Sequence, residues 1–215
     1  MISAVILAGG KATRMGGIDK TALIVDGETI FARQMRVLAP RVTEIIVSVG
    51  AEEEIGSAAK TPRLQAESFS ARSAKETSSW SLGVLAANHL LRTVTDSIVG
   101  AGPLSGVHAG LEACATPWML VVAGDMPHLD GGVIDRMIAA ATDDFDAVGI
   151  RIDGLPEPLF CLLRVSAARE AIARRFAEGK RKASELLTSS GLRVAWLEGV
   201  ARVALTNINT PDDLR

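Results

Sequence analysis

Continuous apolar runs alternate along this sequence with segments in which apolar residues recur at helical spacing. The first run, at 2–7, is rich in β-branched residues and stops at Gly9-Gly10, which is typical of a buried strand that ends in a loop. The apolar runs predict strands at 2–7, 44–49, 118–125, 146–150, 159–165, 192–197 and 202–205. Helical patterns predict helices at 29–39, 82–91, 105–115, 130–141, 166–177 and 182–189.

This alternation predicts right-handed βαβ units. We expect a single Rossmann-like domain over 1–215, with three α/β/α layers and a mostly parallel central sheet, since roughly 150 residues make a domain. The segment 61–81 is rich in Ser, Thr and charge and has little periodicity, which indicates a surface insertion. Ligands of such folds bind beyond the carboxyl ends of strands, so the loops there are the first places to search.

Composition and charge exclude several classes of function. Lys and Arg number 23 and Asp and Glu 25, so the net charge of −2 argues against a protein that holds nucleic acid by bulk charge. No apolar run approaches the roughly 18 residues of a membrane span, and the first residues lack the pattern of a signal peptide. The isolated Cys114 and Cys161 suit neither a disulfide framework nor a zinc site, so we expect a cytoplasmic protein.

The loop after the first strand carries the strongest chemical signal. It reads LAGGKATRMGGIDK, with four glycines and the cations Lys11, Arg14 and Lys20. Glycines let backbone N–H groups approach an anion, and the cations can neutralise phosphate oxygens. The spacing matches neither the P-loop nor GxGxxG, so the loop itself is expected to wrap the phosphates.

Two acidic residues follow predicted strands or turns. Asp125 emerges from the run WMLVVAG at a strand's carboxyl end, where a carboxylate can hold Mg²⁺ together with waters and phosphates. The alternative role of a helix N-cap is better suited to Asp130. Asp96 precedes the glycine-rich segment SIVGAGPLSG, and taken by itself it favours a simple Thr-Asp-Ser turn.

Four motifs together resemble the molybdenum cofactor guanylyltransferase family, within the nucleotide-sugar-transferase-like superfamily. They are LAGG with RMG and DK, the segment DSIVGAGPLSG, the strand end AGDMP, and the tail LTNINTPDDL. They occur in the family's order and leave only about 61–95 uncovered. The resemblance implies the superfamily's fold, Mg²⁺ as cofactor, and transfer of GMP from GTP to the phosphate of molybdenum-molybdopterin. Molybdoenzyme apoproteins or their chaperones are further candidate partners.

The resemblance also assigns roles to residues. Catalysis falls to Lys20, Arg14 and Asp125, with Asp125 as the metal ligand. Nucleotide binding falls to Leu7, Ala8, Gly9, Gly10, Lys20, Ser48, Asp96 and Asp125. Ser48 departs from the Asn that the family often has there, which puts a base or ribose contact in question. Gly9 favours guanine, because relatives with cytidylyl chemistry tend to have LAAG.

Acceptor binding is expected near the end of the chain. The candidate residues are Asn207, Asn209, Lys180, Arg181 and Lys182. The asparagines lie two positions apart in an extended segment and can orient a phosphate or pterin or join the metal shell, although a turn that caps a final helix is also compatible. The GKRK cations are otherwise a solvated helix end. Pro156-Glu157-Pro158 resembles a family segment near the acceptor, without an assigned role.

Three other functions stay open. The first is a CTP-dependent cytidylyltransferase for the same cofactor, and the second is another nucleotidyltransferase for a small phosphate. The third is a nucleotide-binding partner protein without catalysis, which the presence of Lys20 and Asp125 disfavours. Titration with each nucleoside triphosphate separates the first from guanylyl transfer.

Overall fold

The described chain builds a mixed β-sheet between two helical layers. The computed structural model describes residues 1–8, 20–50, 90–96, 98 and 101–208. Its strands are β1 (Ile2–Leu7), β2 (Ile24–Val25), β3 (Glu28–Thr29), β4 (Glu44–Val49), β5 (Leu90–Thr95), β6 (Trp118–Ala123), β7 (Ala147–Ile152), β8 (Leu155–Arg164) and β9 (Val194–Leu197). Its α-helices are α1 (Ile30–Leu38), α2 (Pro103–Ala113), α3 (Gly131–Ala140) and α4 (Val165–Ala177). No helix in these ranges is long and apolar enough to span a bilayer.

Seven of the described strands form the main sheet, in the order β5-β4-β1-β6-β8-β7-β9. The strands β5, β4, β1 and β6 run parallel to one another, and β9 is parallel to β7. Strand β8 is antiparallel to both β6 and β7. The carboxyl ends of β1, β4, β5 and β6 therefore meet at one edge of the sheet, which we call the carboxyl edge. The mostly parallel α/β sheet predicted from the sequence is confirmed.

Each face of the sheet packs against two helices. On one face, Ile6 and Val122 of the strands belong to the same buried cluster as Met35 and Leu38 of α1, and α3 completes that layer. On the other face, Val5 and Val121 pack in a cluster with residues of α2 and α4, among them Leu104, Val107, Ala168 and Ile172. Side chains of a strand alternate between faces, so one apolar run supplies both clusters. The three-layer arrangement follows from this alternation.

The predicted helix starts agree with the structure where a capping side chain marks them. Thr29 caps α1 by accepting a hydrogen bond from the Ala32 N–H at 3.2 Å. Asp130 caps α3 by accepting from the Gly132 N–H at 2.7 Å. The helix expected at 105–115 begins two residues earlier, because Pro103 suits the first helical turn.

Several predicted elements are wrong. The helix expected at 182–189 is a single 3-10 turn, Ala183–Glu185, and the strand expected at 202–205 is a 3-10 helix, Arg202–Leu205. Residues 90 and 91, expected to end a helix, open strand β5, while the rest of that helix and the insertion at 61–81 lie outside the described residues. The expected strand at 159–165 starts earlier, at Leu155, because Asp153 and Gly154 both have positive φ and form a tight turn from β7.

An ion pair joins the start of β7 to the start of β9. The Asp146 carboxylate accepts from the Arg193 backbone N–H at 3.1 Å, from Nε at 2.9 Å and from Nη2 at 2.8 Å. The side-chain hydrogen bond from Arg193 is the main reason that the pKa of Asp146 falls to about 2, against the partial opposition of burial. The charged form of Asp146 therefore stabilises the folded state.

We predict that Asp146→Asn lowers the free energy of unfolding by about 1 kcal/mol at pH 7, as expected for a partly exposed pair. Because the pKa is lowered on folding, this stabilisation is present above the unfolded value of 3.8 and is lost as the pH falls towards 2. Urea unfolding of both proteins between pH 7 and pH 3 measures the difference. The control is Asp144→Asn, an exposed neighbour, and a difference that stays constant over this range would contradict the assignment.

Candidate active site

Backbone hydrogen bonds draw the ends of three parallel strands together at the carboxyl edge. The Ala8 N–H donates to the Ser48 carbonyl at 2.8 Å, and the Gly124 N–H donates to the Leu7 carbonyl at 3.0 Å. Both bonds extend the sheet past its last assigned residues. The Ala8 N–H is therefore already used within the sheet, so a nucleobase contact at Leu7 and Ala8 has to use other backbone groups.

Ser48 and Asp96, which the sequence analysis assigns to nucleotide binding, contact each other directly. The Ser48 hydroxyl donates to Asp96 Oδ1 at 2.5 Å, and Ser48 is only 1% exposed. The Asp96 backbone N–H donates to the Val49 carbonyl at 3.0 Å, which fixes the residue just beyond β5. The buried hydroxyl of Ser48 thus holds the Asp96 carboxylate at the carboxyl edge of the sheet.

The GPLSG segment packs the start of α2 against this pair. Gly102 has a φ of +58°, which favours glycine, and Pro103 follows as the first residue of α2. Ser105 is buried, and its hydroxyl accepts from the Ile98 N–H at 3.2 Å. A Cβ atom on Gly106 would lie 2.9 Å from Ser48 Oγ and 3.3 Å from Asp96 Oδ1. Glycine at 106 is therefore what lets α2 approach the Ser48–Asp96 pair.

The turn that carries Asp125 is held from two sides. Gln34, fully buried on α1, donates through Nε2 to the Ala123 carbonyl at 2.8 Å and to the Met126 carbonyl at 3.2 Å. The Ile208 N–H donates to the Asp125 carbonyl at 2.9 Å. Gln34 is not among the residues predicted from the sequence; the signal that marks it is an amide among the apolar residues on the buried face of α1. Since Asp130 caps α3, Asp125 is not needed for capping.

The Ile208 hydrogen bond also brings the Asn207 segment beside Asp125. The Asn207 Oδ1 atom is buried and has no hydrogen-bond partner among the described residues. A buried acceptor without a donor is costly unless a ligand satisfies it. Amide and carboxylate oxygens are the kinds of donor that Mg²⁺ binds. The residues therefore fit a magnesium ion, although within the described ranges no group of three His, Cys, Asp or Glu side chains suits a metal.

Glu157 of β8 is a second carboxylate near Asp125. Burial raises the pKa of Glu157, the backbone N–H of Leu159 opposes this, and the negative charge of Asp125 raises it further. Burial, followed by the charge of Glu157, raises the pKa of Cys161 to about 12. Cys161 therefore remains a thiol and does not serve as a nucleophile.

The predicted acceptor cations follow α4. Strand β8 ends at Arg164, opposite the first residue of β6, so α4 returns from the amino edge of the sheet towards the carboxyl edge. The loop after α4 is held by Arg175, which is 1% exposed and donates to the Lys182 carbonyl and to Glu185, each at 3.1 Å. Lys180 and Lys182 also pair with acidic residues of the same loop, at 2.8 and 3.7 Å.

Some predicted site residues cannot be compared with the structure. Gly9, Gly10, Arg14 and Asn209 lie outside the described residues. Lys20 starts the 3-10 helix Lys20–Ala22, which follows the glycine-rich loop. Leu7, Ala8, Ser48, Asp96, Asp125 and Asn207 all lie at the carboxyl edge.

Comparison with known proteins identifies similar sequences and folds. The model of the MobA-like NTP transferase domain matches residues 4–194. The chain is 30% identical to a molybdenum cofactor guanylyltransferase of Cupriavidus taiwanensis, over all of this chain and 94% of the relative, and 31% identical to that of Cupriavidus necator with the same coverage. The solved structure of molybdopterin-guanine dinucleotide biosynthesis protein A from Archaeoglobus fulgidus matches with a TM-score of 0.67, at 24% identity over 99% of this chain and 94% of that one. Its similarity supports the fold.

We predict that Gly106→Ala weakens GTP binding by about tenfold, because the added Cβ displaces the Ser48–Asp96 pair. Overpacking of this kind also costs about 1–3 kcal/mol of stability. Calorimetric titration with GTP, together with thermal unfolding, measures both effects. Gly132→Ala is the control, because its Cβ would meet only Asp130 Oδ1, at 3.3 Å. Unchanged GTP affinity in a folded Gly106→Ala protein would show that the pair does not contribute to binding.

Proposed function

Because the chain belongs to the MobA-like NTP transferase family, we propose that it transfers GMP from GTP to the phosphate of molybdenum-molybdopterin and releases pyrophosphate. The observation that carries this proposal is the carboxyl edge, where the hydrogen bond from Ile208 to the Asp125 carbonyl joins the Asp125 turn to the segment of Asn207, whose side-chain oxygen is buried and unsatisfied. Full-length similarity to named guanylyltransferases supports the choice of substrates. The product is a molybdopterin guanine dinucleotide, made in the cytoplasm for molybdoenzyme apoproteins or their chaperones.

The nucleotide binds across the strand ends. Leu7, Ala8 and Gly9 supply backbone groups to the guanine, and Gly10 also contacts the nucleotide. Asp96, held by Ser48, binds the nucleoside. The hydrogen bond between Ser48 and Asp96 supports this role, since it orients the carboxylate in advance. Glycine at position 9 supports guanine over cytosine.

Charge neutralisation accounts for most of the catalysis. Lys20 and Arg14 bind the triphosphate oxygens, while Asp125 and Asn207 would hold Mg²⁺. The bound ion would neutralise the charge that develops as pyrophosphate leaves. The acceptor phosphate attacks the α-phosphorus in line and is already ionised, so the chain needs no strong general base.

The acceptor binds on the side of α4. Arg181, with Lys180 and Lys182, attracts its phosphate, and Asn207 and Asn209 orient it. The anchoring of this loop by the buried Arg175 supports the role, because a fixed loop loses little conformational entropy on binding.

We predict that GTP with Mg²⁺ binds the chain in preference to the other nucleoside triphosphates, and that Lys20→Ala weakens GTP binding at least about tenfold, the effect of losing one charge-assisted contact. Calorimetric titration of each nucleotide measures both. Preference for CTP would reassign the protein to cytidylyl transfer. Absence of binding would favour a partner protein without catalysis, and unchanged GTP affinity in Lys20→Ala would overturn the assignment of Lys20.

We predict that Arg181→Ala raises the KM for molybdenum-molybdopterin about fivefold, since one exposed charge contact contributes about 1 kcal/mol. The Kd for GTP should stay unchanged, because the loop does not bind the nucleotide. Steady-state assays of pyrophosphate release measure KM, and calorimetry measures Kd. Arg36→Ala, an exposed arginine on α1, is the control. An unaltered acceptor KM in Arg181→Ala would remove this residue from the acceptor site.

A further inference from the structure

Gln34 occupies a place on α1 where the neighbouring buried side chains are apolar. Among the buried residues of α1, a helix that the structure describes in full, it is the only polar one. Its Nε2 atom donates to the carbonyls of Ala123 and Met126, at 2.8 and 3.2 Å, whereas its Oε1 atom is buried and has no hydrogen-bond partner among the described residues. A half-satisfied buried amide destabilises a core that an apolar residue would fill. The turn that Gln34 holds, and not the core around it, therefore accounts for an amide at this position.

The first residue of that turn is fixed by close packing instead. A Cβ atom on Gly124 would lie 2.8 Å from the carbonyl oxygen at the end of β1 and 3.0 Å from Cγ2 of Thr21, a buried residue of the 3-10 helix after the glycine-rich loop. Gly124 therefore has no room to move towards either neighbour. From Asp125 onwards the support comes from hydrogen bonds, which Ile208 and Gln34 donate to the carbonyls of the turn.

We propose that Gln34 is a positioning residue for the reaction, because its amide fixes the backbone on both sides of Asp125 and so sets where that carboxylate meets the nucleotide-bound cation. The inference rests on the proposed function, in which Asp125 would hold Mg²⁺. Gln34 is fully buried and cannot contact a substrate, so it acts only through the turn. Groups that orient a metal ligand contribute about 10–100-fold to metal affinity or activity.

A positioning role and a purely stabilising role have different consequences in a folded protein. Loss of stability alone lowers the population of folded chains and leaves the properties of each folded chain unchanged. A displaced Asp125 instead weakens the dependence of nucleotide binding on the cation, while the nucleotide contacts of the other strand ends remain. Gln34→Met separates the two roles, because it keeps the length of the side chain and removes the hydrogen-bond donor.

The experiment titrates Mg²⁺ into the full chain with a fluorescent GTP analogue and no acceptor, with the affinity in EDTA as the baseline. We expect Gln34→Met to raise the Mg²⁺ concentration that gives half of the metal-dependent increase in binding about tenfold, and to leave the baseline unchanged. Amide hydrogen exchange of the peptide 123–127 should become about tenfold faster, since one hydrogen-bonded support of the turn is lost.

Met35→Ala is the matched control. Met35 is buried next to Gln34 on α1, and truncating it lowers stability by leaving a cavity without removing a donor to the turn. It should lower the melting temperature and change neither the Mg²⁺ titration nor the exchange of the turn. Gln34→Asn keeps the amide on a shorter side chain and should give a smaller shift than Gln34→Met. Thermal unfolding establishes which variants are folded, and the Asn variant decides the question if Gln34→Met is not.

Three results would overturn the inference. The first is a folded Gln34→Met protein that titrates like the unmodified chain, and the second is an equal shift in Met35→Ala, which would make the effect one of stability. The third is a shift in Gln34→Met without one in Asp125→Asn, since Gln34 would then act through another group.

Asp125→Asn also separates these failures from a failure of the proposed function. If Asp125→Asn shifts the titration and Gln34→Met does not, only the role of Gln34 fails. If neither variant shifts it, the cation site itself fails, and the inference fails with it.

Discussion

The buried amide of Gln34 stabilises the turn on which the candidate site depends. A strand that ends in a tight turn leaves carbonyl groups without partners, and burying them unpaired is costly. Gln34 reaches from α1 and satisfies the carbonyls of Ala123 and Met126, the residues that flank Gly124 and Asp125. With the carbonyl of Asp125 accepting from Ile208, the backbone of the turn is fixed from both sides. The position of Asp125 at the carboxyl edge is consequently set by these backbone contacts.

Sheet order explains how two acidic centres can serve one nucleotide. Asp96 follows β5 and Asp125 follows β6, with β4 and β1 between them. Neighbouring strands are about 4.8 Å apart, so the two centres are separated by about 14 Å along the edge. A nucleotide that lies across the strand ends passes over Leu7 and Ala8 at the end of β1. The backbone of β1 therefore lies under the middle of the site, which is where the glycine-rich loop begins.

The sequence predicts elements well where a local pattern decides them. Strands β1 and β4 are uninterrupted apolar runs, and Thr29 and Asp130 mark helix starts by capping. Prediction of an element fails where contacts between residues distant in sequence determine the local structure. The edge strand β5 contains Arg92, which forms an ion pair with Glu44 of β4. This charged residue interrupts the apolar pattern by which a strand is predicted from sequence. A helix is expected at 182–189, but only a 3-10 turn forms there, because the buried Arg175 donates to the Lys182 carbonyl and to Glu185.

The same reasoning applies to the site. Asp125 follows an apolar strand and can be found in the sequence. The role of Gln34 becomes clear only once α1 packs on the turn. Ser48 illustrates a finer limit. A serine hydroxyl has a single proton, and at this position it is donated to Asp96. Ser48 can therefore only accept a hydrogen bond from a bound nucleoside, while the asparagine common in the family could donate and accept at once.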